Sequence, residues 1–134
     1  MKNELNIKAI LIGFATMFAL GFLMGFGLAI AGLLIPLHSF PSAEELKNDL
    51  PLLLLVQSII CRLCGGFVTG WIAKHDQLKN AFALAILDLI LTRAVTLFSE
   101  SGPVLSLFTG IMTAALATIC GGYIAKLIFQ RVDL

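Results

Sequence analysis

Charged residues are scarce in this sequence. Lys, Arg, Asp and Glu make up only 13% of its 134 residues, whereas a soluble domain usually contains about 25%. The charges are also scattered, without the basic cluster that nucleic-acid binding requires. These two absences exclude a separate soluble domain and argue against nucleic acid as a partner.

The motifs of common active sites are absent as well. The sequence has no Gly-rich phosphate loop, no serine nucleophile elbow and no zinc-type histidine spacing. Its three cysteines, Cys61, Cys64 and Cys120, fall inside apolar stretches, whereas a secreted disulfide framework would place them in loops. We therefore predict no catalytic residue, no metal site and no cofactor.

Long apolar runs dominate the chain instead. It is 59% hydrophobic, with a mean hydropathy of +1.00. A helix needs about 20 apolar residues to cross a bilayer, and four stretches reach that length. They predict helices over about 7–35, 52–73, 80–98 and 103–130. Residues 1–134 are therefore predicted to form a single transmembrane domain, an all-α four-helix bundle of two helical hairpins surrounded by the lipid bilayer.

The connection before the second apolar stretch carries helix signals of its own. Ser42 and Glu45 have the spacing of a capping box, which predicts a short surface helix over 43–50. Pro51 is then expected to open helix 2, because proline is tolerated at the first helical position.

Lysine and arginine predict the orientation of the bundle, because they are enriched in cytoplasmic connections. One set of connections and termini holds Lys2, Lys8, Lys74, Lys79, Lys126 and Arg131. The two opposite connections hold only Lys47. Both termini are therefore predicted to be cytoplasmic.

Two opposite charges lie at the middle of neighbouring apolar stretches, Arg62 in helix 2 and Asp88 in helix 3. A charge at that depth costs at least about 2.5 kcal/mol, so each needs a partner. Both lie on helix sides rich in small and polar residues, which predicts that the two helices face each other around an intramembrane charge pair. The pair either fixes the helix register only, or forms a proton, ion or substrate site.

Other polar residues form a secondary set. Arg93 lies about 140° around helix 3 from Asp88, where it is expected to extend toward lipid headgroups or to pair with Glu100. The remaining members are Ser58, Thr69, Thr92 and Thr113.

The Cys61 and Cys64 pair has redox or metal-binding spacing. Burial opposes thiolate formation there, so we favour a packing role.

Glycines predict where helices approach closely. Gly21, Gly25 and Gly32 share one side of helix 1, while Gly65 and Gly66 in helix 2 and Gly121 and Gly122 in helix 4 form two pairs. The segments around these pairs, 64–69 and 120–125, match each other. The match predicts two hairpins related by an axis along the membrane normal, unless it is a coincidence of apolar sequence.

The segment Gly121–Ala125 reads Gly-Gly-aromatic-aliphatic-Ala. In this it resembles a loose group of small bacterial four-span inner-membrane proteins, many without an assigned function. The resemblance implies four spans and a bacterial inner (plasma) membrane, and it carries no catalytic residue.

Three functions are compatible with these features. The first is a non-enzymatic protein that acts through assembly, as a homo-oligomer or as an accessory subunit of a membrane complex, with the glycine side of helix 1 as a docking surface. The second is an oligomeric transporter or channel for a small solute or ion, with Arg62 and Asp88 at its centre. The third, which we favour least, is a thiol-based redox enzyme using Cys61 and Cys64.

Overall fold

The computed structural model describes residues 5–34, 43–74, 76–98 and 104–132, and this part of the chain is all-helical. Its helices are α1 (Ile7–Leu34), α2 (Ala43–Ala73), α3 (Gln77–Phe98) and α4 (Val104–Val132). Asn6 caps the start of α1, because its side-chain Oδ1 accepts a hydrogen bond from the Ala9 N–H at 3.1 Å. This bond is a typical N-cap, which satisfies one of the free donors at a helix start.

Three of the helices are long and apolar enough to cross a membrane. The segments concerned are Ile7–Ile30, Pro51–Ala73 and Ile111–Gln130. A 20-residue helix already spans about 30 Å, which equals the hydrocarbon thickness of a typical bilayer. The chain therefore has the architecture of a membrane protein.

Helix α2 continues through Pro51. The sequence predicted a separate surface helix over 43–50 and a new helix beginning at the proline, and the structure has one helix from Ala43 to Ala73 instead. Proline removes one backbone hydrogen bond and strains the preceding turn. Here it has leucine on both sides, Leu50 before it and four leucines after it, and leucine is a strong helix former, so the helix continues across Pro51.

Large apolar side chains lie on the outside of the structure, and small or polar ones lie inside. Phe18 and Phe22 are 66% and 75% exposed, whereas Ala81 and Ala125 are fully buried. The largest fully buried side chains are Leu84, Asn80, Thr69 and Thr118. This distribution suits lipid surroundings, where large apolar side chains gain little from burial and small residues let the backbones approach.

Helix α2 is the hub of the packing. It contacts α1, α3 and α4, and α3 also contacts α1 and α4. Within the described residues, α1 and α4 do not touch.

Helices α2 and α4 meet backbone to backbone through glycine. A Cβ atom on Gly66 would collide with the Thr118 backbone, and one on Gly121 would collide with the Leu63 carbonyl and reach the Phe67 nitrogen at 2.8 Å. The predicted close approach at these two glycines is therefore present, and no larger residue fits at either position.

Two further glycines pack α1 and α3 against α2 and α4. Gly65 lies against Met17 and the Gly13 carbonyl of α1, and Gly122 lies against Ala81 of α3. Gly13 is tightly packed too, against the Thr69 side chain, and this contact was not predicted from the sequence.

The glycines of the second half of α1 are different. A Cβ on Gly21 would meet nothing within 4 Å, and one on Gly25 would meet only Gln57 Nε2 at 3.8 Å. Gly32 lies within α1, outside the part whose side-chain surroundings are described. Gly21 and Gly25 thus face open space, so no described residue makes the close approach predicted for them.

The two glycine pairs do not have equivalent surroundings. An axis along the membrane normal would make the first glycine of each pair face its own hairpin neighbour. Gly65 does face α1, but Gly121 faces α2, and it is Gly122 that faces α3. The predicted two-fold relation is therefore not the observed arrangement, and the matching segments share a need for close packing rather than symmetry.

One end of the structure gathers the start of α1, the turn between α2 and α3, and the end of α4. The Asn6 N–H donates to Oδ1 of the buried Asn80 at 2.8 Å. Lys74 of the turn and Lys79 in the first turn of α3 line a groove together with Lys126 of α4. Lysines from distant parts of the sequence therefore lie at the same end.

Replacing Gly66 by alanine should weaken the fold, because the new methyl group would overlap the Thr118 backbone, which cannot move as a side chain can. Overpacking of this kind costs about 1–3 kcal/mol. The free energy of unfolding, measured by circular dichroism during denaturant titration in mixed micelles, should fall by that amount.

Gly27→Ala is the matched control for this change, because Gly27 lies in α1 with nothing within 4 Å of its Cβ position. It should be neutral or stabilising by up to about 1 kcal/mol, since alanine favours helix over glycine. Equal losses in both variants would contradict the glycine-packed contact between α2 and α4.

Candidate functional site

The two mid-stretch charges lie in direct contact. Arg62 Nε of α2 donates to Asp88 Oδ2 of α3 at 2.8 Å, and the two side chains are 18% and 14% exposed. Arg62 Nη1 also donates to Ser58 Oγ, one turn earlier on α2. The pair predicted from the sequence is thus present, with Ser58 as a third member.

Asp88 shares its side of α3 with two small buried residues. Ala81 and Ala85 of α3 are buried, and Asp88 follows Ala85 on the same side of the helix. Removing one member of such a pair leaves an uncompensated charge, whereas replacing both by apolar residues is often neutral. The ion pair therefore links α2 to α3, and either charge without its partner would destabilise the fold.

An open cleft of about 480 Å³ lies against the ion pair, between α1, α2 and α3. Met17, Phe18, Gly21 and Phe22 of α1 form one wall. The floor and far wall carry Ser58, Arg62, Asp88 and Thr92. Its volume falls within the usual range for small-molecule sites, which are mostly apolar with a few convergent polar groups.

Gln57 joins α2 to α1 at the edge of this cleft. Its Nε2 donates to the Gly21 carbonyl at 3.1 Å, although that carbonyl belongs to a helix. Its Oε1 is buried and has no hydrogen-bond partner among the described residues. A buried acceptor without a donor is unusual in folded proteins, so Gln57 is a polar position that has capacity for a further contact.

Gln57 was not among the functional residues predicted from the sequence. It is the uncharged amide in an otherwise apolar run, five residues before Arg62. A side chain that can both donate and accept inside a predicted span was the available signal.

A much smaller gap lies on the opposite side of the ion pair. It has a volume of about 20 Å³ and is bordered by Ala85, Leu89, Ala114 and Ala115. A space of this size holds about one water molecule. The ion pair thus separates a wide cleft on the α1 side from a nearly closed space on the α4 side.

The secondary polar residues are dispersed. Thr69 is fully buried and donates to the Gly65 carbonyl at 2.9 Å within its own helix, away from the pair. Thr92 lines the cleft. Arg93 and Thr113 are exposed and have interactions of their own. Glu100, the partner predicted for Arg93, lies outside the described residues.

The three cysteines are free thiols in different surroundings. Cys61 is buried, Cys64 is half-buried and Cys120 is exposed. Cys61 borders the cleft, with its Sγ 4.0 Å from Met24 Sδ. No group of three or more His, Cys, Asp or Glu side chains in the described part of the chain could hold a metal ion.

Comparisons with known proteins add no assignment. No protein-family model matches the chain, and neither a curated protein nor a solved structure shows a significant match. The resemblance to small four-span bacterial proteins therefore remains a prediction from the sequence, and function must be argued from the geometry.

Replacing Arg62 by leucine should destabilise the protein by about 3 kcal/mol, the lower end of the range for breaking a buried pair. We expect the lower value because both side chains of the pair are partly exposed to the cleft. The double variant Arg62→Leu with Asp88→Leu should recover most of the loss, because no uncompensated charge remains.

The measurement is again the free energy of unfolding in mixed micelles. A double variant that is no more stable than Arg62→Leu alone would show that the two charges do not compensate each other. Ser58→Ala should cost less than either single charge change, since it removes one hydrogen bond, which contributes about 1.5–3 kcal/mol when one partner is charged.

Proposed function

We propose that this protein is an integral four-helix bundle of two helical hairpins in a bacterial inner membrane, with both termini in the cytoplasm. We further propose that it is not an enzyme and that it acts through assembly, as a homo-oligomer or as an accessory subunit of a larger membrane complex.

The distribution of side chains supports the membrane placement. Three helices meet the length and hydropathy expected of a span, and large apolar side chains on all four helices are exposed. We assign α3 as the remaining span. It has 22 residues, which correspond to about 33 Å of helix, and its central charge is compensated by Arg62.

The common end described above supports the topology. Asn6 and Asn80 are hydrogen-bonded there, and Lys74, Lys79 and Lys126 border one groove. Positive residues from three segments are therefore on one side of the molecule, which is the asymmetry expected of a cytoplasmic face.

The open cleft beside the second half of α1, where Gly21 lines the wall and Gly25 lies next to Gln57, is the observation that carries the assembly proposal. Gly21 and Gly25 have open space beside them, whereas a neighbouring helix occupies the space beside Gly66 and Gly121. In membrane proteins such glycine sides bring helices into van der Waals contact. A second copy of the chain, or a helix of another subunit, would make on α1 the kind of contact that α2 and α4 make inside the molecule.

A small-solute or ion transporter is the second candidate, and the cleft favours it. The cleft presents the Arg62–Asp88 pair, Ser58 and Thr92 to a space of about 480 Å³. Ionisable residues inside a membrane often mark ion or substrate paths. The nearly closed gap beyond the pair, of about 20 Å³, means that such a path would require the pair to separate.

Gly25→Leu should weaken assembly, because a bulky side chain would occupy the space that a docked helix needs. A misfitting side chain in a packed contact costs about 1–3 kcal/mol, so the dissociation constant of the oligomer or complex should rise by about tenfold. Native mass spectrometry of the tagged chain, purified from native membranes in mild detergent, reports both the mass and the composition of the assembly.

Ala19→Leu is the matched control, because Ala19 is exposed on the same helix, about 120° around from Gly25. It should leave the assembly intact. A chain that is monomeric before any substitution, with no copurifying partner, would contradict the assembly proposal.

The double variant Arg62→Leu with Asp88→Leu separates the two functions. If the pair is only structural, the variant should assemble like the unmodified chain. If the pair carries transport, proteoliposomes containing the variant should lose flux that the unmodified protein supports. Absence of flux for the unmodified protein, over a panel of inorganic ions and small solutes, would count against transport.

A further inference from the structure

A second large groove lies at the lysine-bearing end of the structure, where α2 ends, α3 begins and α4 ends. Its volume is about 470 Å³, within the range of ligand sites. It is separate from the ion-pair cleft and shares no lining residue with it. We name it the basic groove, and its charged residues are Lys74, Asp76, Lys79 and Lys126.

The basic groove carries an excess of positive charge. Three lysines face one carboxylate, and that carboxylate is engaged by Lys79, with 3.3 Å between Lys79 Nζ and Asp76 Oδ1. Neither Lys74 nor Lys126 has an ion-pair partner in the described ranges. An anion in the groove would therefore be attracted by two lysines that no carboxylate of the described residues compensates.

The backbone adds to this attraction. Helix α3 begins at Gln77 in the wall of the groove, and its first turn contains no acidic residue. The free N–H groups and the positive dipole end of a helix start favour a bound anion. Two side chains of α3 also bond back to residues just before the helix: Gln77 donates to the Lys74 carbonyl at 3.4 Å, and Asn80 donates to the Asp76 carbonyl at 3.1 Å.

Lys74 and Asp76 adopt an unusual backbone conformation in this turn, with φ angles of 51° and 54°. Residues other than glycine rarely occupy this left-handed region, and such outliers concentrate at functional sites. Lys74 and the first turn of α3 line the same groove.

The other wall of the groove is apolar. Phe129 and Leu78 contribute to it, and the Trp71 ring packs edge-on against Phe129 with 5.0 Å between the ring centroids. Trp71 is half exposed, and tryptophan is enriched at the level of lipid headgroups. A ligand that fits both walls is therefore an amphiphile with an anionic head.

We propose that the basic groove binds an anionic phospholipid, with its phosphate between Lys74, Lys126 and the start of α3 and an acyl chain along Trp71 and Phe129. Basic pockets between helices on a cytoplasmic face are suited to such headgroups. The proposal depends on the membrane placement above, but not on what the protein assembles with.

Native mass spectrometry of the full-length protein in detergent tests this binding. The protein is titrated with phosphatidylglycerol or with phosphatidylcholine that has the same acyl chains, and the retained lipid is counted. The anionic lipid should be retained in preference to the zwitterionic one. Lys126→Gln should reduce its affinity by about fivefold, the effect expected of one lysine near the headgroup.

Lys8→Gln is the matched control, because Lys8 is exposed near the same end and does not line the groove. It removes the same charge and should leave lipid binding unchanged. Lys79→Gln provides a second groove variant with an intermediate loss, since Lys79 already engages Asp76. Circular dichroism confirms that each variant is folded.

Three outcomes would overturn the proposal: equal retention of both lipids, equal losses for Lys8→Gln and Lys126→Gln, or displacement of the lipid by equimolar inorganic phosphate, which would identify a site for free phosphate. The mass of the protein assembly is read from the same spectra. It should not change in Lys126→Gln, so a failure of lipid binding is distinguishable from a failure of the assembly proposal.

Discussion

Direct contact between the backbones of α2 and α4 is the constraint on which the rest of the structure depends. Gly66 and Gly121 have no side chain, and Thr118 and Leu63 of the opposite helix occupy the space. In lipid surroundings the hydrophobic effect between helices is weak, so van der Waals contact at short range must hold them together. Small residues at the contact are therefore a requirement of the fold, and the large residues are left for the outer surface.

The other contacts of α2 follow from this central one. Gly65 meets α1 while Gly66 meets α4, because consecutive helical residues point about 100° apart. Arg62 lies about one turn before Gly66 and reaches α3, where Asp88 compensates its charge. A short segment of one helix thus determines the position of all three others, and it borders the cleft in which function is proposed.

Much of this arrangement could be predicted from the sequence, because it depends on residues that are unfavourable in a membrane helix unless a neighbouring helix compensates for them. A charge in an apolar run demands an opposite charge nearby, which identified Arg62 and Asp88. Adjacent glycines in predicted spans indicated the close approaches at Gly66 and Gly121. All-helical structure followed from the length of the apolar runs alone.

The remaining features depend on three-dimensional context. Gln57 carries no charge, so its role depends on which carbonyl of α1 lies beside it. The different neighbours of Gly65 and Gly121 depend on the rotation of each helix, which two matching motifs do not specify. Pro51 is read as a helix start in isolation, and only the strong helix formers on both sides explain why α2 continues through it.

The hydrogen bond between the Asn6 N–H and Asn80 joins residues 74 positions apart. At a synthesis rate of about 5–20 residues per second, the acceptor emerges about 4–15 s after the donor. During that interval the start of the first helix has only its own cap, and α2 is complete before the tether can form. The hydrogen bond that links the amino-terminal helix to α3 is therefore a late event in biogenesis, and in nascent chains that stall before Asn80 only α2 is available to hold the first helix.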